Sequence, residues 1–221
     1  MTASVGRAFS LVAALLAIVA VATPAVSAAP PIPKTGKLAY IINRDGAQIG
    51  THVITFEREG DRLFVDTKVD VDVKLAFISL YKFVKRAREV WKDGRVIGYE
   101  ARVDDNGNIM EARAEANGSK LVLEGPNGKA VAPLGTMISG YWNIATVDQD
   151  RLVDSEDARL RKVAFEGGSE QTIEIEGRSV KARYFRVTGA LVRELWYDAK
   201  GLLLKMRAVA SDGSVIETVK R

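Results

Sequence analysis

The chain offers few side chains with which to do chemistry. Its 221 residues include one histidine, His52, and no cysteine. A single imidazole excludes paired-histidine mechanisms and His-rich metal sites. The absence of thiols excludes cysteine nucleophiles, disulfides and thiolate-bound metals. His52 shares a strand face with Gly50, Ile54 and Phe56, so the expectation is an inward, neutral, hydrogen-bonded imidazole. Its alternatives are to orient the head of a ligand or to act as a base. A hydrolase built on His52 would need a nucleophile and an acid beside it, and no Gly-x-Ser-x-Gly elbow nominates one.

The carboxylates read as surface groups. Asp66, Asp70 and Asp72 alternate with Lys68 and Lys74, the pattern of a solvated strand face of mixed sign. Asp154, Glu156 and Asp157 bring oxygen ligands to one turn but lack the glycine and spacing of a calcium loop. A surface turn is expected there, with no metal and no cofactor. Lys82, Lys85, Arg86, Arg88, Lys92 and Arg95 form the densest basic patch, either a solvated strand face or a site for anionic head groups or an acidic protein. The large aromatic side chains bury much area wherever they sit. Of these, Tyr81, Trp91, Tyr141, Trp142 and Trp196 join His52 as candidate ligand-binding residues. Trp142 leads, because it lies where the regular rhythm of the chain breaks.

The elements that must position these groups are strands. From Arg62 to Phe77 the odd positions are apolar or threonine and the even ones mostly charged, a period of two held over the whole run. At about 3.3 Å per residue that run extends roughly 50 Å, which a small sheet accommodates only by curving. Turn signals follow at short intervals, among them Asp45-Gly46, Asp93-Gly94, Asn106-Gly107, Asn117-Gly118, Glu176-Gly177 and Asp212-Gly213. Ile78 to Trp91 fits a basic amphipathic helix or, with Tyr81, Phe83, Ala87 and Trp91 on one face, a strand; the Asp93-Gly94 turn behind it favours the strand. The expected fold is all-β: one curved antiparallel meander of about twelve strands over residues 37–221, forming an open or half β-barrel. The exception is 132–160, an irregular insertion with one short helix near 138–146. Long insertions of this kind serve as lids, plugs or binding loops.

The N-terminus carries a targeting pattern. Arg7, the uncharged run Ala8 to Val21 and the small residues up to Ala28 match a secretory signal peptide over residues 1–28, followed by a proline-rich extended leader at 29–36. The apolar run falls short of the roughly 20 residues of a membrane span, so no anchor is expected after cleavage. The net charge of +4 is small and scattered, and with export it leaves nucleic acid out as a partner.

Arg44-Asp45-Gly46 with Ile49-Gly50-Thr51-His52, then Val73 to Ile78, Tyr141-Trp142-Asn143, and Leu195-Trp196-Tyr197-Asp198 with Gly201, resemble a family of exported bacterial proteins known only as a domain of unknown function. The Trp-Tyr-Asp turn is also similar to a wider group related to the curved half-barrels of lipoprotein carriers. The resemblance implies export and an open barrel, and it supplies no catalytic residues. The expected function is a periplasmic, non-enzymatic binding protein or carrier for a lipid or other apolar ligand, with the loop at Trp142 over the barrel mouth. The alternative is a structural or accessory partner of envelope proteins with a filled core; a hydrolase using His52 comes third.

Overall fold

The computed structural model describes residues 30–221. The signal peptide expected at 1–28 lies outside them. The period-two run becomes β3 (Arg62–Leu75), and its odd residues, from Leu63 and Val65 to Val71, turn to the interior. On its outer face Arg88 meets Asp66 at 2.7 Å and Arg86 meets Asp70 at 2.6 Å, so the mixed-sign face is a cross-strand ladder in solvent.

β1 (Lys37–Arg44) and β2 (Ala47–Glu59) precede it. The segment open to a helical reading is a strand, β4 (Ile78–Lys92), paired with β3 along its length. The meander continues through β5 (Arg95–Asp105), β6 (Asn108–Asn117), β7 (Lys120–Gly125) and β8 (Gly128–Pro133). After the insertion come β11 (Leu160–Ile175), β12 (Arg178–Gly189), β13 (Arg193–Tyr197), β14 (Leu203–Val209) and β15 (Val215–Lys220). Fifteen strands form one sheet where about twelve were expected. The additional pairing comes largely from the insertion, where β9 (Met137–Ile138) and β10 (Arg151–Val153) are too short to leave a periodic signature. They also form a parallel pair inside an otherwise antiparallel sheet. The expected helix is a 3₁₀ turn at Ile144–Asp148, displaced to where Asn143 caps it by accepting the Ala145 N–H.

The strand order runs from β8 back to β1, across to β15, and back to β9. The first and last strands therefore pair in the middle of the sheet, with Tyr40 opposite Lys220. The two free edges, β8 and β9, are neighbours in sequence. The sheet curls until the β7–β8 turn meets the insertion, where a Cβ on Gly125 would run into the Asp157 carbonyl. The result is an unclosed barrel.

Its interior is filled at one end only. Leu38, Ile54, Leu63, Val65, Leu121 and Leu203 pack there with Trp142, which is 2% exposed and makes edge contacts with Phe56 at 5.1 Å and Trp91 at 5.5 Å. The insertion is thus a plug for the floor of the barrel, and Trp142 does not cover its mouth. An indole that buries this much area is more stable as core than as a solvent-facing lid.

Candidate functional site

Above the plug the interior opens into a cavity of about 400 Å³. Its walls are the inward residues of the central strands, including Ile42, Val69, Val71, Phe83, Met206 and Ile216, and its base carries polar groups that strand alternation forces inside. Counting from Phe83 through Ala87 to Trp91 places residues 85 and 89 on the same inward face. These are Lys85 and Glu89, 8% and 4% exposed.

Glu89 is held by the floor. Trp91 Nε1 donates to its Oε2 at 2.8 Å and Trp142 Nε1 to its Oε1 at 3.3 Å. Burial pushes its carboxyl up to about 7, against the pull of the two indole donors and of Lys85. Lys85 donates to Ser155 Oγ. Burial lowers its pKa, while Glu156, Asp154 and Glu89 push it back up. Tyr99 Oη, also inward, donates to the Ser155 carbonyl at 2.6 Å. The acidic turn is therefore no solvated surface loop. Arg161 ties down Asp154 at 2.9 Å and Asp157 at 2.7 Å, and the turn presents Ser155 and Glu156 to the buried amine. Glu156 sits at the rim, exposed along much of its length, with its carboxyl turned towards the pocket. Loss of water there raises its pKa, and Lys85 opposes the rise.

An amine on a serine hydroxyl has the form of a serine–lysine nucleophile. The surrounding groups do not complete one. The Ser155 N–H is given to Ser139 Oγ at 3.0 Å and the Glu156 N–H to Asp154 Oδ1 at 3.0 Å, so neither is available to an oxyanion.

Two residues of the cavity wall each carry a buried polar atom without a hydrogen-bond partner, His52 at Nε2 and Tyr141 at its hydroxyl. His52 stacks on Tyr40 at 5.2 Å, and burial, with Lys85 adding to it, drives its pKa down to about 3, so the ring is neutral. The inward orientation expected of His52 is present, but the hydrogen bond is not. Tyr141 stands in a left-handed backbone conformation at φ 56°, which holds its ring in the cavity wall at a cost that context must outweigh. Buried orphan donors and acceptors are uncommon and mark sites that a ligand or water completes.

Of the six candidate residues, the structure brings two, His52 and Tyr141, to the cavity. Trp91, on β4, and Trp142, in the plug, lie beneath it and act on it through Glu89. Tyr81 is half-buried on β4, beyond Phe83 towards the open end. Trp196 faces the other side of the sheet, in a small cluster with Ala182 and Leu204, where its Nε1 donates to Gln171 at 2.9 Å. Lys85 leaves the expected basic surface patch, and Glu89 was not singled out at all. The signal for both was the strand period itself: charges at 85 and 89 interrupt the face defined by Phe83, Ala87 and Trp91.

Residues 40–221 match the family described as Domain of unknown function (DUF6134). Among solved structures, the chain is similar to the beta-barrel-like protein of domain of unknown function DUF1849 from Brucella abortus. The TM-score is 0.57 at 11% identity, covering 84% of this chain and 94% of that one. Identity that low speaks for the fold alone. No curated protein matches the sequence.

Proposed function

The chain belongs to the DUF6134 family, and from that membership, the barrel-like fold and the open cavity we propose that it is an exported, non-enzymatic binding protein for a lipid-like molecule. The observation that carries this reading is the cavity of about 400 Å³ at one end of the barrel, apolar along its walls and lined by His52 and Tyr141, each of which carries an unpartnered polar atom. Small-molecule sites have this composition, an apolar container with a few placed polar groups. The ligand has an apolar body for the walls and a polar head for the base. Around the cavity the charges of Lys85 and Arg193 are offset by Asp154, Glu156 and Glu89, and His52 is neutral, which favours a hydroxyl or carbonyl head over a strongly ionic one. Export rests on the basic, apolar and small-residue pattern of the first 28 residues. Binding is favoured over turnover because His52 Nε2 contacts neither a nucleophile nor an acid.

The test is a fluorescence titration of the protein lacking residues 1–28 with a dansyl-labelled long-chain amphiphile, beside mass spectrometry of the organic extract of purified protein. Binding should weaken at least roughly tenfold in Val69→Trp, which fills the cavity from its wall. Absence of uptake, or uptake unaffected by Val69→Trp, would refute the reading.

A further inference from the structure

The described residues expose eight large apolar side chains, and six of them, Phe77, Ile78, Leu80, Ile109, Val192 and Val209, lie at one end of the barrel. The registers establish this. The end of β3 pairs with the start of β4, the end of β5 with the start of β6, and Val209 at the end of β14 with Val215 at the start of β15, while Val192 directly precedes β13. The same end is the mouth of the cavity, since Val71, Phe83, Val209 and Ile216 line it. The β3–β4 ribbon reaches furthest. Beyond the Val71–Phe83 pair it runs on through Leu75 and Ile78 to an apex at Ala76 and Phe77, and Phe77 is 100% exposed.

Apolar side chains scattered singly over a surface need no explanation, but a set gathered from four connections round one opening does. We infer that the mouth end docks on a lipid bilayer, with the Phe77–Ile78 tip inserted among the acyl chains and the rim at Ile109, Val192 and Val209 resting at the interface. A bilayer is the occupant that fits because the tip is a narrow projecting ribbon. A flat protein surface would touch only its apex, whereas a penetrable phase surrounds it. The tip backbone is paired up to Leu75 and Ile78, so little unsatisfied N–H or C=O accompanies it into an apolar medium. The charges behind the tip are mixed, Asp72, Lys74 and Lys82, so insertion is driven by apolar area and not by anionic head groups. Docking would set the cavity mouth against the phase from which an apolar ligand comes. The docking surface itself stands apart from whether the cavity binds anything.

The test is flotation with vesicles of phosphatidylcholine alone and with added phosphatidylglycerol, using the chain from Ala29 onward. The expected result is recovery with both vesicle types, insensitive to salt. Recovery should fall at least roughly tenfold in the Phe77→Ser, Ile78→Ser double variant, as the lost burial of two large side chains dictates. It should be unchanged in Val131→Ser, an exposed apolar site on the β8 edge away from the mouth. Circular dichroism and a wild-type urea unfolding midpoint establish that the double variant is folded. Failure of the wild type to float would overturn the inference. So would equal loss in Val131→Ser, binding confined to anionic vesicles and abolished by salt, or a dimer that the tip variant dissolves. Flotation without amphiphile uptake would leave docking standing and refute only the binding function.

Discussion

Glu89 gives the sharpest test of the interior, because its electrostatics predict a slope and not merely a loss. Its carboxyl has an ordinary value of 4.5 and is pushed to about 7 in the folded protein. Between those limits the folded state binds more protons than the unfolded one, so the stability contributed by this group falls as pH rises. It is fully present below pH 4.5 and lost above pH 7. A shift of that size corresponds to about 3 kcal/mol. Glu89→Gln cannot titrate. It keeps the shape and one acceptor oxygen, and leaves one of the Trp91 and Trp142 N–H groups unpaired, a cost that does not change with pH. Stability of the variant relative to wild type should therefore rise by about 2.5 kcal/mol between pH 5 and pH 8. Urea unfolding followed by tryptophan fluorescence measures it directly, since two of the three tryptophans touch the carboxyl. A difference that stays constant within about 0.5 kcal/mol across that range would refute the claim that a buried, desolvated carboxylate sits under the cavity.

His52 works in the opposite sense: held near 3 against an ordinary 6.5, it should cost up to about 5 kcal/mol as pH falls through that window. His52→Phe, keeping the stack on Tyr40, should flatten the acid limb of the same unfolding curves. Lys85→Met removes the cation that restrains Glu89 and Glu156, so the tryptophan-detected titration of Glu89 should move above its wild-type midpoint. Trp142→Ala empties the plug and should destabilise by about 3–5 kcal/mol in thermal or urea unfolding. Asp70→Ala on the outer ladder should change stability by less than about 1 kcal/mol, because both partners of that ion pair are exposed.

The sheet was legible because period-two alternation and Asp-Gly or Asn-Gly turns are local signals, as in β3 and the turns at Gly46, Gly94 and Gly107. β9 and β10 were not, because two or three residues carry no period and their pairing is set by tertiary contact alone. The inward histidine followed from its strand face. Lys85 escaped for a chemical reason: a lysine among Lys82, Arg86 and Arg88 reads as surface, and only the parity of its position says otherwise. Trp142 and the acidic turn changed places with expectation for a related reason. Whether an irregular loop covers a mouth or plugs a floor depends on which end of the barrel it enters, and here β9 and the 3₁₀ turn carry Trp142 beneath Glu89. Trp196 lies on the outer face because its neighbours Leu195 and Tyr197 take the inner one.

The pairing of β1 with β15 bears on how the chain reaches this state. Each half of the sheet, 37–133 and 160–220, is a run of consecutive hairpins whose contacts are short in sequence and quick to close. The two halves are joined at the centre by a ladder whose partners, such as Tyr40 and Lys220, stand at opposite ends of the chain. Loop closure over that separation is the slow, entropically costly step. Until then both central edges stay open, and the walls of the cavity, which draw on Ile42 and His52 from one half and Met206, Ile216 and Thr218 from the other, do not yet exist. The cavity is assembled only when β1 and β15 meet, so before that ladder forms the polypeptide has two half-shells and no vessel.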